Sequence, residues 1–83
     1  MQPDVDVAEG VAAVIRKAFG DPGLAVTRAT EASDVDGWDS LAHATLMIMI
    51  ARKFRIDVTE SESNALVNVG DLIDLVQRKL SAR

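Results

Sequence analysis

The sequence contains no cysteine. Disulfides and thiolate metal sites are thereby excluded, so any thiol chemistry the chain takes part in must come from a group added later. Positive charge is scarce as well: 9 Lys and Arg stand against 13 Asp and Glu, for a net charge of -4 and a pI near 4.7. A protein that binds a phosphate backbone needs a basic footprint, so nucleic acid is not an expected partner. An acidic domain is better suited to steering towards basic protein surfaces. No apolar run is long. The longest, around Leu46 to Ala51, falls far short of the roughly 20 residues that carry a helix across a bilayer. The opening MQPDVDVAEG lacks the basic start and apolar centre of a signal peptide, and we therefore expect a cytoplasmic protein. No repeat, low-complexity tract or linker interrupts residues 1–83, which read as a single small domain. No spacing of histidine and carboxylate builds a metal site.

What the chain does have is helical periodicity. Apolar residues make up 48% of it, enough for a core without staples. In the first segment Val7, Val11, Val14, Ile15 and Ala18 fall on one face at helical spacing. Asp6 followed by Glu9 resembles a capping box, and Gly20 is a natural stop, so we expect a helix over residues 6–19. Residues 20–39 carry the turn signal Asp21-Pro22-Gly23 and no clear period. Loops of this length in a small domain are uncommon and often functional; a short helical turn is expected around Val26 to Ala32. A second helix runs from Ser40 to Phe54, with Leu41, Ala44, Met47, Ile48, Ala51 and Phe54 as its expected inner face. RIDVTES breaks it, leaving Ile56 and Val58 as apolar anchors on an extended piece, and Ser61 to Leu66 has room only for a short helix. The last segment places Val69, Leu72, Ile73, Val76 and Leu80 on one stripe. Asn68 is its expected N-cap, Val67 and Leu72 form a hydrophobic staple, and Arg78 and Lys79 suit its C-terminal dipole. The expected fold is all-α: a small bundle of three main helices and one short helix, with a long loop between the first two.

Ser40 stands between Asp34, Asp36 and Asp39 on one side and the most apolar helix on the other. One reading makes it a helix cap, although Asp39 is able to cap the helix itself and leave the Ser40 hydroxyl free. A second makes it a hydrolase nucleophile, since Trp38-Asp39-Ser40-Leu41 is superficially like the Gly-Asp-Ser-Leu block of a hydrolase family. That chemistry needs a base and an orienting partner. His43 is the sole histidine, no carboxylate is placed to orient it, and the chain is too short for the sheet those hydrolases use. A third reading makes it an attachment point. A hydroxyl in the first helical turn lies beside unpaired N–H groups and the positive end of the dipole, where a phosphate is well held.

Gly37-Trp38-Asp39-Ser40-Leu41, the apolar helix ending in Arg52-Lys53-Phe54-Arg55-Ile56, and the helix start Val69-Gly70-Asp71-Leu72 together resemble the acyl carrier proteins over essentially the whole chain. The resemblance implies that Ser40 carries 4′-phosphopantetheine, installed from coenzyme A by a phosphopantetheinyl transferase. The arm's thiol would hold acyl groups as thioesters, so the missing sulfur is imported. It further implies a carrier and not an enzyme: a monomeric phosphoprotein that presents intermediates to acyl-loading, condensing or acyl-transfer enzymes of fatty acid, polyketide or other specialised biosynthesis. Asp36, Asp39 and Leu41 are expected to serve partner recognition, with Leu41 also turned inward to fix the helix start.

Family members in primary fatty acid synthesis usually carry acids along the second helix. Here the positions expected to face outward are Ala42, His43, Thr45, Leu46, Met49, Arg52 and Lys53, a neutral to basic face. This suggests a specialised carrier whose partner reads Leu46 and Met49 on an apolar or acid-complementary surface, unless those two side chains simply fold into the core. Ala44, Met47, Ile48 and Ile50 are candidates to line an acyl pocket between helices, with ordinary tight packing as the alternative. We expect His43 to face solvent and Trp38 to pack the loop against the bundle. Met1 and the lack of a second domain suggest a freestanding carrier. Two other functions compete: an aminoacyl or peptidyl carrier of a nonribosomal-type pathway, and an unmodified helical interaction module with a capping serine.

Overall fold

The structure, a computed structural model, describes the backbone of residues 3–82 and the side chains of residues 7–82. Its helices are α1 (Pro3–Ala18), α2 (Ser40–Phe54), α3 (Glu60–Asn64) and α4 (Val69–Ser81), with a 3-10 turn at Ala32–Asp34 in the long loop. No strand occurs among the described residues, and the expected all-α architecture is the one found. Helix α1 packs against both α2 and α4, and Val11, Ile15, Leu46, Ile50, Leu72 and Val76 form the fully buried centre.

Helix α1 begins earlier than expected. Pro3 opens it, where a missing N–H and a fixed φ suit the first turn. The backbone is already helical at Asp6, whose side chain lies outside the described residues, so the expected capping role at Asp6 gives way to an interior position. At its other end the helix closes with the Gly20 N–H donating to Lys17 O and the Asp21 N–H to Arg16 O, at 3.2 and 3.0 Å. This is the Schellman pattern, and Gly20 takes the left-handed φ of 63° that it requires.

The long loop is fastened at both ends. Arg16 Nε donates to Leu24 O at 2.9 Å. The first two amides of α4, Val69 and Gly70, donate to the loop carbonyls of Thr30 and Arg28, both at 2.8 Å. A Cβ at position 70 would stand 3.1 Å from Arg28 O, so glycine permits this close approach. The short turn expected at Val26 to Ala32 lies further along, at Ala32–Asp34. Residues 28 and 30 are committed to α4, whereas the Asp34 carboxylate accepts from the Glu31 N–H at 2.8 Å and starts the turn there.

Helix α2 has the expected bounds but a different inner face. Leu46, Met47 and Ile50 are buried, with Phe54 packed alongside them. Leu41 is 77% and Ile48 54% exposed, and Ala44 is exposed as well. The face expected to be inner is thus partly the outer one. Apolar residues surround this helix, so periodicity alone does not single out one side. Helix α3 starts on a true capping box: Glu62 N–H donates to Thr59 Oγ1 at 3.1 Å and Thr59 N–H to Glu62 Oε1 at 2.9 Å. Lys79 of α4 reaches Glu62 at 2.8 Å and holds α3 down. Asn68 caps α4 by accepting from Asp71 N–H at 2.9 Å, as expected. The expected staple does not form, because Val67 is exposed while Leu72 is buried.

Candidate functional site: the cleft at Ser40

Gly37 adopts a left-handed φ of 87° and turns the loop sharply before α2. Trp38 thereby folds inward, while Asp39 and Ser40 stay exposed. Asp39 is the N-cap: its Oδ1 accepts from Ala42 N–H at 2.8 Å, and its carbonyl accepts from His43 N–H at 2.9 Å. Ser40, the first helical residue, is thus relieved of capping, and its hydroxyl has no hydrogen-bond partner among the described residues. The amides of Ser40 and Leu41 remain as first-turn donors at the positive end of the helix. Such a hydroxyl has the setting in which a phosphate ester is tolerated.

Ser40 lies at the mouth of a cleft of about 410 Å³, walled by Trp38 and Asp39, by His43, and by Ser63, Asn64 and Leu66 on the opposite side. Behind Trp38, His43 and Leu66 is a second, smaller cavity of about 40 Å³ that reaches Val69 and Leu72. It is large enough for water-sized occupants only. Trp38 packs on Phe19 at the end of α1, with ring centroids 5.3 Å apart, so it pins the loop to the bundle as expected.

His43 departs from expectation. It is half-buried and makes two hydrogen bonds. Trp38 Nε1–H donates to its Nδ1 at 3.0 Å, and its Nε2 is 3.1 Å from the Ser63 carbonyl. The Trp38 and His43 rings are within 27° of coplanar and 6.1 Å apart, an edge-to-edge pair joined by the N–H···N bond. The sequence carries a signal for this pair. Trp38 precedes the N-cap and His43 is the fourth residue after it, the spacing of a hydrophobic staple.

The remaining candidate residues are scattered. Asp36 is exposed in the loop before the cleft, and Leu41 projects outward in the first turn of α2. Leu46 is fully buried and is corrected from a partner-recognition residue to a core residue. Met49 is half-buried against that core, at a groove of about 330 Å³ between α1 and α2 shared with Lys17, Arg52 and Lys53. The expected acyl pocket does not form at Ala44, Met47, Ile48 and Ile50. Met47 and Ile50 are packed into the core while Ala44 and Ile48 face outward, because these positions lie on different sides of the helix. The space near Ser40 is instead bounded by the loop, α2, α3 and the start of α4.

No family model matches the chain. Among solved structures it is similar to the holo acyl carrier protein from Geobacter metallireducens, determined by solution NMR, with a TM-score of 0.85 and 37% identity. The similarity covers 92% of this chain and 87% of that one.

Proposed function

The chain belongs to the acyl carrier protein family, and on that premise we propose that Ser40 carries 4′-phosphopantetheine and that the protein is a carrier of acyl intermediates and not an enzyme. The arm, when attached, supplies a terminal thiol on which acyl groups ride as thioesters. The observation that carries it is the free hydroxyl of Ser40 in the first turn of α2, at the edge of the cleft, with Asp39 doing the capping. An attached phosphodiester lies beside the uncommitted amides of Ser40 and Leu41, where the helix field favours its charge. The rest of the arm has the cleft to lie along, with Trp38 and Leu66 as its apolar walls.

Partner enzymes, on this reading, approach over the exposed side of α2. Leu41 and Ile48 supply apolar anchors there, and exposed Asp36 and Asp39 flank the attachment point. Further along, Arg52 and Lys53 are exposed, and with Lys17 they make no ion pair among the described residues. A partner that contacts the whole helix therefore presents an apolar centre with an acidic surface beyond it.

Incubation with coenzyme A and a broad-specificity phosphopantetheinyl transferase, followed by intact mass, tests the attachment. The wild-type chain gains one phosphopantetheine and Ser40→Ala gains none. A folded wild-type chain that gains no mass with any such transferase refutes the assignment and leaves an unmodified interaction module.

A further inference from the structure

The walls of the Ser40 cleft meet at one imidazole. Trp38 belongs to the loop, His43 to α2 and Ser63 to α3, and the two ring nitrogens of His43 join all three at 3.0 and 3.1 Å. An indole N–H is only a donor, so Nδ1 must present its lone pair; a carbonyl is only an acceptor, so Nε2 must hold the proton. The arrangement therefore requires neutral imidazole in a single tautomer. Helix α3 spans only five residues and has little stability of its own. Its place depends on side-chain ties such as Ser63 to His43 and Glu62 to Lys79.

From this geometry we infer that His43 is the positioning residue for the arm on Ser40: as neutral imidazole it latches Trp38 and α3 together as the two sides of the cleft, and a proton on Nδ1 releases Trp38. The inference rests on the reading that Ser40 carries the arm. On protonation a solvent proton takes the Nδ1 lone pair, and the new N–H then faces the Trp38 N–H, donor against donor. That bond is lost, while the bond from Nε2–H to Ser63 becomes charge-assisted. Trp38 is part of the wall between the cleft and the smaller cavity behind it, so its release also joins the two spaces. The charges near the ring are few. Asp39 lines the cleft but its carboxylate is committed to Ala42 N–H. Asp34 in the loop accepts from Glu31 N–H, and Glu62 beside Ser63 is paired with Lys79. From the start of α4 only Asn68, Val69 and Leu72 approach the cavity, and none ionises; Phe19 is what α1 brings to Trp38.

A lone tryptophan and a lone histidine give clean signals. The unmodified chain is titrated while the His43 ring nitrogens and the Trp38 indole N–H are followed by NMR and Trp38 by its emission. As His43 takes up its proton, indole exchange, referenced to free indole at each pH, accelerates by about fivefold or more, the weight of one neutral hydrogen bond, and emission shifts at the same midpoint. His43→Gln offers an acceptor and a donor without a titrating ring, so its referenced indole exchange stays constant over the titration. His43→Phe offers neither and is open at every pH. In the loaded protein the reaction of the arm's thiol with a disulfide reagent, referenced to free coenzyme A at each pH, follows the same midpoint and loses its pH dependence in His43→Gln. An indole signal indifferent to the His43 titration, or a transition that persists in His43→Gln, overturns the latch, even if His43→Phe fails to fold. A latch transition in a chain whose Ser40 never loads overturns the arm-positioning role, and intact mass separates that failure from failure of the latch.

Discussion

Asp39 and Ser40 are adjacent side chains either of which is able to cap α2, and the structure assigns the task to Asp39. The difference matters because a capping hydroxyl is committed to the backbone, whereas an uncommitted one is available for esterification. Single residues also set the pH response of the short helix. Hydrogen bonding to Lys79, with a further contribution from the Thr59 N–H, holds the Glu62 carboxyl down to about 2, well below its ordinary value of 4.5. A carboxyl depressed in the folded state stabilises fully above its unfolded value, and that contribution is lost as pH falls towards the folded one. Between pH 5 and 2 we therefore expect the wild-type melting temperature to fall more steeply than that of Glu62→Gln, as thermal unfolding at a series of pH values would show. Equal slopes would mean that the pair contributes nothing. Arg28 lowers Asp74 in the same sense, but both partners are well exposed and solvent weakens the pair.

Helix α4 and helix α2 differ in how openly their sequences announce their packing. Of the expected α4 stripe, Val69, Leu72, Ile73 and Val76 are buried and Leu80 is partly buried; Leu75, which lies off the stripe, is buried as well. In α2 the segment from Leu41 to Ala51 is apolar on nearly every side, so the orientation is set from outside the helix. The Trp38–His43 pair turns position 43 inward, and helical spacing then carries Leu46, Met47 and Ile50 into the core. Mutations on the two sides should accordingly separate. Leu46→Ala or Ile50→Ala removes a fully buried side chain and should cost about 2–5 kcal/mol in denaturant unfolding. Leu41→Gln and Ile48→Gln, on the exposed side, should change stability by less than about 0.5 kcal/mol. If these residues anchor partners, the same changes should lower kcat/KM for loading by the transferase about fivefold or more. Unchanged loading and partner turnover would leave them as ordinary surface residues.

Across the whole molecule the net charge is -4, yet Lys17, Arg52 and Lys53 line one groove between α1 and α2. Overall composition thus describes long-range steering poorly at this end, where the local field is positive. A partner enzyme that uses this end should associate more slowly as salt rises from about 0.05 to 0.5 M, since exposed charges are screened over a few ångströms at the higher value. Arg52→Glu with Lys53→Glu should slow association at low salt and flatten that dependence; association rates unaffected by either change would remove the groove from the interface. The chain's own order of residues determined that there are three main helices and one short one, the bounds of α2, the Gly20 stop, the Asn68 cap and the placing of Ser40 at a helix start, because those depend on neighbours within a turn or two. Tertiary structure decided which side of α2 is buried, how Arg28 and Thr30 of the loop cap α4, and that His43 closes the cleft against Ser63. Each of those depends on atoms brought together from distant parts of the chain, and where a helix is apolar on nearly every side only those partners select the face it buries.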